Sequence, residues 1–195
     1  AFAVAEAPLP NLTVSNVVGP ASIRAGQTAT VTWTERNTLD EPAAGDWSAQ
    51  IYLSSDNAIG GDILVGAASF TGGLAANGQV VRSADVSLPT TLAPGAWHFV
   101  VRTDSANRVL ERDELDNAAI AASASTVPAA LQLNLVTSVA EATGSFTASL
   151  QRNGDLSSAL TVALVSSDAS EATVPATVTI PAGQALVNFT VSLPA

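Results

Sequence analysis

Cysteine, methionine and lysine are absent from this 195-residue chain, and histidine occurs once. Without cysteine there is no disulfide, no zinc thiolate and no thiol nucleophile, and the redox state of the compartment leaves no mark. Without lysine, Schiff-base chemistry and Lys–Asn isopeptide cross-links are excluded. All seven cations are arginines, set against 17 acidic residues, and the resulting net charge of −10 repels nucleic acid and anionic lipid. No run of about 18 apolar residues exists, so nothing is built to insert in a membrane as a helix. The chain has no starting methionine and no basic leader, and reads as a processed or excised piece of something longer.

What is present is apolar and small. Hydrophobic residues make up 47% of the chain, charged residues 12% and aromatics only 5%, so a core must be built mostly from valine, alanine, leucine and isoleucine. With threonine, serine, asparagine and glutamine as the main polar residues, this is the palette of a secreted β-protein. The length allows one or two domains.

Short β-runs recur between turn signals. NLTVSNVVG (11–19), QTATVTWTER (27–36), DWSAQIYLS (46–54), DILVGAASF (62–70), GQVVRSADVSLP (78–89), GAWHFVVRTD (95–104) and NAAIAASAS (117–125) alternate or are β-branched, with Gly, Pro, Asn or Asp between most of them. Seven strands in this span predict an antiparallel sandwich of immunoglobulin type. A short Ser-Thr-Pro linker then opens a second block, with strands over 130–136, 144–152, 159–167, 172–180 and 185–193. The fold class is therefore all-β, two tandem immunoglobulin-like sandwiches. An internal match between GQVVRSADVSLP (78–89) and GQALVNFTVSLP (183–194) sharpens this, because strands follow the first copy and none follows the second. By that analogy the second sandwich is incomplete.

Candidate chemistry is sparse. His98 falls opposite Trp97, Phe99 and Val101 on its strand, on an outward face, and no G-x-S-x-G elbow accompanies it. Trp33, Trp47 and Trp97 lie on three strands, which favours a core cluster over a sugar platform. No cleft with paired carboxylates is indicated, so the expectation is no catalytic residue, no enzyme and no cofactor beyond a calcium candidate.

That candidate lies in RTDSANRVLERDELDN (102–117), which holds five of the 17 acidic residues. It fails as an EF-hand, because the third, fifth and sixth positions counted from Asp104 are Ala106, Arg108 and Val109. Asp104, Asn107, Glu111, Asp113, Glu114 and Asp116 could still offer oxygens to a calcium ion of another geometry. The competing reading is a solvated loop in which Arg108 and Arg112 partly neutralise the carboxylates while Val109 and Leu115 pin it to the sheet.

The blocks LTVSNVVGPASIRAGQTATVTWTERN, GDWSAQIYLSSDN and PGAWHFVVRTDSANRVLERDELDN, in this order and spacing, resemble the CARDB family, the cell-adhesion-related domain of bacteria. The resemblance spans about residues 10–125, leaving residues 1–9 as an extension. It implies a sandwich without catalytic activity in a secreted or surface protein, with the stretch through Asp104, Asn107, Val109, Glu111, Glu114 and Asn117 joining the last two strands. Residues 126–195 are similar to the Calx-beta family through SVAEATGSFTASLQRNGDLSSALTVALVSSDASEATVPATVTIPAG. That resemblance implies Glu141 and Asp168 as calcium ligands where such domains bind the ion, and implies that the end of the domain is missing.

These readings converge on an extracellular or surface-bound bacterial protein that contacts other proteins, copies of itself or neighbouring domains. The extension AFAVAEAP (1–8) places Phe2, Val4 and Glu6 on one face and alanines on the other. Phe2 and Val4 are the candidate subunit contacts of a donated strand, which would build a filament.

Overall fold

The structure is a computed structural model that describes residues 7–136, 138–140 and 143–194. Every regular element among them is a strand, no α-helix occurs, and none is therefore available to cross a membrane. The chain divides into two compact units, Ala1–Val127 and Pro128–Ala195.

The first unit is a sandwich. One sheet has the order β1 (Leu12–Val18), β2 (Thr28–Asn37), β5 (Gln79–Ser87). The other runs β4 (Ile63–Phe70), β3 (Trp47–Ser54), β6 (Gly95–Arg102), β7 (Ala118–Ile120), with β8 (Ser125–Val127) also pairing with β6. All these ladders are antiparallel. Period-two alternation explains the burial. On β2, Ala29, Val31, Trp33, Glu35 and Asn37 point inward, while the threonines between them point away. Val31 and Trp33 meet Ile51 and Leu53 of β3 and Phe99 and Val101 of β6 in one buried cluster. Burying each such side chain stabilises the fold by roughly 1.5–3 kcal/mol relative to exposure. β1 carries a bulge at Asn16, which takes φ 51, and beyond it Gly19 lies against the Phe99 ring. A Cβ at Gly19 would stand 2.2 Å from Phe99 Cδ2, so no larger residue fits without a shift.

Three sequence expectations need correction here. The run 117–125 is not one strand, because Ala121–Ala124 interrupts it and leaves the short β7 and β8. Val100, placed by alternation on the outward face, is 1% exposed, because β3 and β7 flank it and the Ile59–Asp62 loop lies over that face. The tryptophans do not form one cluster. Trp33 belongs to the main core, Trp47 joins Leu12, Ala43 and Val109 in a second one, and Trp97 packs half-buried at the core's margin.

The second unit has a three-stranded sheet in the order β13 (Leu186–Ser192), β10 (Ser145–Asn153), β9 (Ala130–Asn134), and a two-stranded sheet of β11 (Leu160–Ala163) and β12 (Thr177–Ile180). Its core is small: Ala148, Leu150, Val178, Ile180, Phe189 and Val191. The run 172–180 yields strand only from Thr177, although Thr173 bridges to Ser192 of β13. β9 is an edge, paired with β10 on one side only.

Candidate functional site

The acidic loop after β6 is built around a buried carboxylate. Asp104, fully buried, takes φ 35, and Asn107 takes φ 47; both side chains tolerate the left-handed region better than most. Asp104 Oδ1 accepts the N–H of Arg108 at 2.9 Å and Oδ2 that of Val109 at 2.8 Å, while its carbonyl accepts the N–H of Asn107 at 2.8 Å. Asp104 thus shapes the turn, and Val109 drops into the cluster with Leu12 and Trp47.

The loop then fastens to the start of β1. Glu111, 5% exposed, accepts the N–H of Leu12 on Oε2 and the Asn117 amide on Oε1 at 3.0 Å. The N–H of Arg112 donates to the Pro10 carbonyl at 2.9 Å, the N–H of Asp113 to Asn11 Oδ1 at 2.9 Å, and Asn11 Nδ2 to Asp116 Oδ2 at 3.0 Å. Asn11 in turn takes Asn37 Oδ1 on its own N–H at 3.1 Å. Burial pushes the Glu111 carboxyl up to about 7, against the pull of Leu12 and Asn117, and the charges of Glu114 and Asp104 add to the rise. Two further acceptors in this corner, Glu114 Oε2 and Asn117 Oδ1, are buried without a partner.

The loop is therefore solvated only in part: Arg108, Arg112, Asp113 and Asp116 are exposed, while Asp104 and Glu111 are buried. Val109 pins it, whereas Leu115 is 94% exposed and pins nothing. Composition alone misses this, because part of what holds the loop lies about a hundred residues away in sequence: Leu12 N–H meets Glu111 and the Asn11 side chain meets Asp116.

A third buried carboxylate lies outside the loop, on β2. Glu35 is wholly buried on β2 and its Oε2 pairs with Arg82 Nε at 2.9 Å. Its Oε1 accepts Trp47 Nε1 at 2.8 Å and the Thr103 hydroxyl. Arg82 also stacks 4.0 Å over the Phe70 ring. The signal was available, since extending the Ala29, Val31, Trp33 alternation by one step puts Glu35 inside.

The metal candidates do not converge. Asp104 spends both oxygens on backbone amides, Asp113 caps Leu115 N–H at 2.9 Å, and Asp116 holds Asn11. Asp168, in the second unit, is held below the usual carboxylate range by the Ser170 hydroxyl and N–H. Among the described residues no three His, Asp or Glu side chains form a group able to hold a metal ion. Glu141, Phe2 and Val4 lie outside the described residues. His98 is half-buried, with Nδ1–H donating to the Ala121 carbonyl at 2.9 Å.

The second unit offers a surface instead. In the β9–β10 ladder Leu133 stands opposite Leu150 and Leu131 opposite Arg152, so both leucines share the face of the core. Yet each is 48% exposed, while Leu150 and Arg152 are 3% and 6%. An open groove of about 460 Å³ lies beside Leu131, lined also by Ala130, Arg152, Asp155, Ala159 and Leu160.

The CARDB family model matches residues 9–121, more than half of the chain. The chain belongs to the CARDB family. The CARDB segment covers β1 to β7 and the whole acidic loop, and ends before the second unit. Among solved structures, the CARDB domain of a Pyrococcus furiosus protein in complex with di-metal ions is 19% identical, with a TM-score of 0.45 over 63% of this chain and 97% of that one. A domain of a Methanosarcina acetivorans protein, whose name places it provisionally at the cell surface, is 16% identical, with a TM-score of 0.45 over 62% and 93%. A beta-glucosidase from Listeria innocua in complex with glucose gives 16% and 0.40 over 60% of this chain and 16% of that one. Alignments this loose transfer no ligand or activity to this CARDB chain. No curated protein matches it.

Proposed function

We propose that the protein is a non-enzymatic structural or adhesive element of a bacterial outer surface, a subunit of a fibre or a segment of a large adhesin. Its second sandwich, Calx-beta-like by sequence, is completed by a β-strand from another polypeptide. The observation that carries this reading is the half-exposure of Leu131 and Leu133 on the core side of an edge strand. Such an edge is a template for pairing, and an added strand would bury both leucines and satisfy the free amides and carbonyls of β9. Membership of an adhesion-related family and the acidic, cysteine-free composition support an extracellular setting.

The competing reading is a calcium- or carbohydrate-binding accessory module of a secreted multidomain protein. The orphaned oxygens of Glu114 and Asn117 favour a cation, but the carboxylates around them are turned to separate backbone amides. Trp33 and Trp47 are buried, and no fully exposed aromatic platform for sugar occurs among the described residues.

Electron microscopy of the purified chain, paired with amide exchange of β9, tests the proposal. End-joined particles or filaments are expected, with Leu131–Asn134 exchanging more slowly as protein concentration rises. Single particles whose β9 amides exchange at one rate at all concentrations overturn it.

A further inference from the structure

The identity of the completing strand can be read from the acceptor face. That face presents, in order along β9, Leu131 beside Arg152 and Leu133 beside Leu150, with Leu135 (55% exposed) just beyond the strand. Arg152 is a buried cation that gives four of its five N–H donors to carbonyls: Nε to Gln184 at 3.0 Å, Nη1 to Ser158 at 2.8 Å, and Nη2 to Pro181 at 3.1 Å and Leu156 at 3.5 Å. Asp155 lines the same groove, but its oxygens are engaged by the N–H and hydroxyl of Ser157, each at 2.8 Å. A strand laid here meets two or three apolar positions and one buried positive charge that no carboxylate hydrogen-bonds, Asp155 acting on it through space alone.

Residues 1–6, Ala-Phe-Ala-Val-Ala-Glu, carry the complementary pattern at the same two-residue spacing. Phe2, Val4 and Glu6 share one face of an extended chain, and the alanines on the other ask nothing of their surroundings. Six extended residues span roughly 20 Å, enough to cover β9 and Leu135. Beyond them the Pro10 carbonyl and Asn11 are tied to the acidic loop, so the available length ends there.

We propose that residues 1–6 of a second copy of this chain lie antiparallel to β9, with Glu6 beside Leu131 and Arg152, Val4 beside Leu133 and Phe2 beside Leu135. This rests on the reading that the second unit is completed by an added strand. The direction follows from charge, because the parallel arrangement carries Glu6 to Leu135 and sets Phe2 against Arg152. The contact is head-to-tail, so each copy gives one strand and receives one, and the assembly is an open filament or, where the rotation closes, a ring.

The absence of cysteine makes the test clean. Full-length chains carrying single substitutions are mixed in pairs under mild oxidant and resolved without reductant. Val4→Cys with Leu133→Cys, and Phe2→Cys with Leu135→Cys, are expected to give disulfide-linked dimers. Phe2→Cys with Leu131→Cys is expected to give several-fold less, and a reversal of that preference overturns the direction. In the doubly substituted chain carrying Val4→Cys and Leu133→Cys, a cross-linked monomer at high dilution and high concentration alike overturns the second copy as donor. Glu6→Gln, ahead of the first strand, is expected to weaken association several-fold, and unchanged association overturns the pairing with Arg152. Absence of any cross-link overturns residues 1–6 as the occupant; particles still joined end to end in those samples then leave strand completion standing with another donor, and single particles sink both.

Discussion

The two units solve the same problem to different degrees. In the first, two sheets face each other fully, even the buried carboxylates Glu35, Asp104 and Glu111 are met by donors, and the loop at one end is stitched to the first strand. In the second, a three-stranded sheet is opposed by only two short strands, and the apolar face of β9 runs past its cover. Both have the alternation of a half-buried strand. Alternation therefore determines which side of a strand is apolar, while the number of opposing strands determines whether that side is dry.

The comparison implies that the units unfold separately, the second at lower denaturant because it buries less apolar surface. The largest effect should come from the first unit. Glu35→Ala strands Arg82 beside an empty acceptor site and orphans Trp47 Nε1 and the Thr103 hydroxyl, at a cost of about 3–5 kcal/mol. Urea denaturation followed by far-ultraviolet circular dichroism, which sees both units, should show the upper transition moving toward or below the lower one. A shift under about 1 kcal/mol would mean the network contributes no net stability.

Ile180→Ala empties a fully buried position in the smaller core and should cost about 2–4 kcal/mol, moving only the lower transition. If both transitions move together, the units are one cooperative body and the comparison fails. Gly19→Ala forces a methyl into the Phe99 ring and should lower the upper transition by about 1–3 kcal/mol, read from the urea midpoint.

A smaller effect is expected from Glu111. Its folded value of about 7 lies above the ordinary 4.5, so between these limits the folded state holds more of the proton than the unfolded chain. The stability this contributes is fully present below about pH 4.5 and is lost as pH rises through 7. The first unit should melt a few degrees lower at pH 8 than at pH 5.5, and Glu111→Gln should flatten that slope; an equal slope in the variant would point to another group. The smallest effect concerns calcium. Added calcium or chelator should shift the first unit's melting temperature by less than about one degree, and a rise of ten degrees with calcium would place a cation at the loop after all.

Much of the fold was legible, and the reason is local. β2, β3, β4 and β10 fall within a residue or two of the runs read from period and turn residues. Where reading by period went wrong, burial depended on something distant. Val100 is covered by a loop that alternation cannot see, and Leu115, apolar in sequence, finds no partner. The charge of the acidic loop points to water, which holds for Asp113 and Asp116, whereas the burial of Glu111 depends on Leu12 N–H, 99 positions away. Glu35 lies within reach of the pattern, one step beyond Ala29, Val31 and Trp33, and only its acidic character argues against a core position.

The stitching of the loop to β1 also has a mechanical meaning. Any pull on residues before Pro10 reaches the fold at Pro10, Asn11 and Leu12. There the load divides at once between the β2 ladder and the bonds from Glu111, Arg112, Asp113 and Asp116. The strand cannot peel from its neighbour one residue at a time, because the first residues to move are also held from the other side. Tension entering there is thereby spread over two segments about a hundred residues apart in sequence.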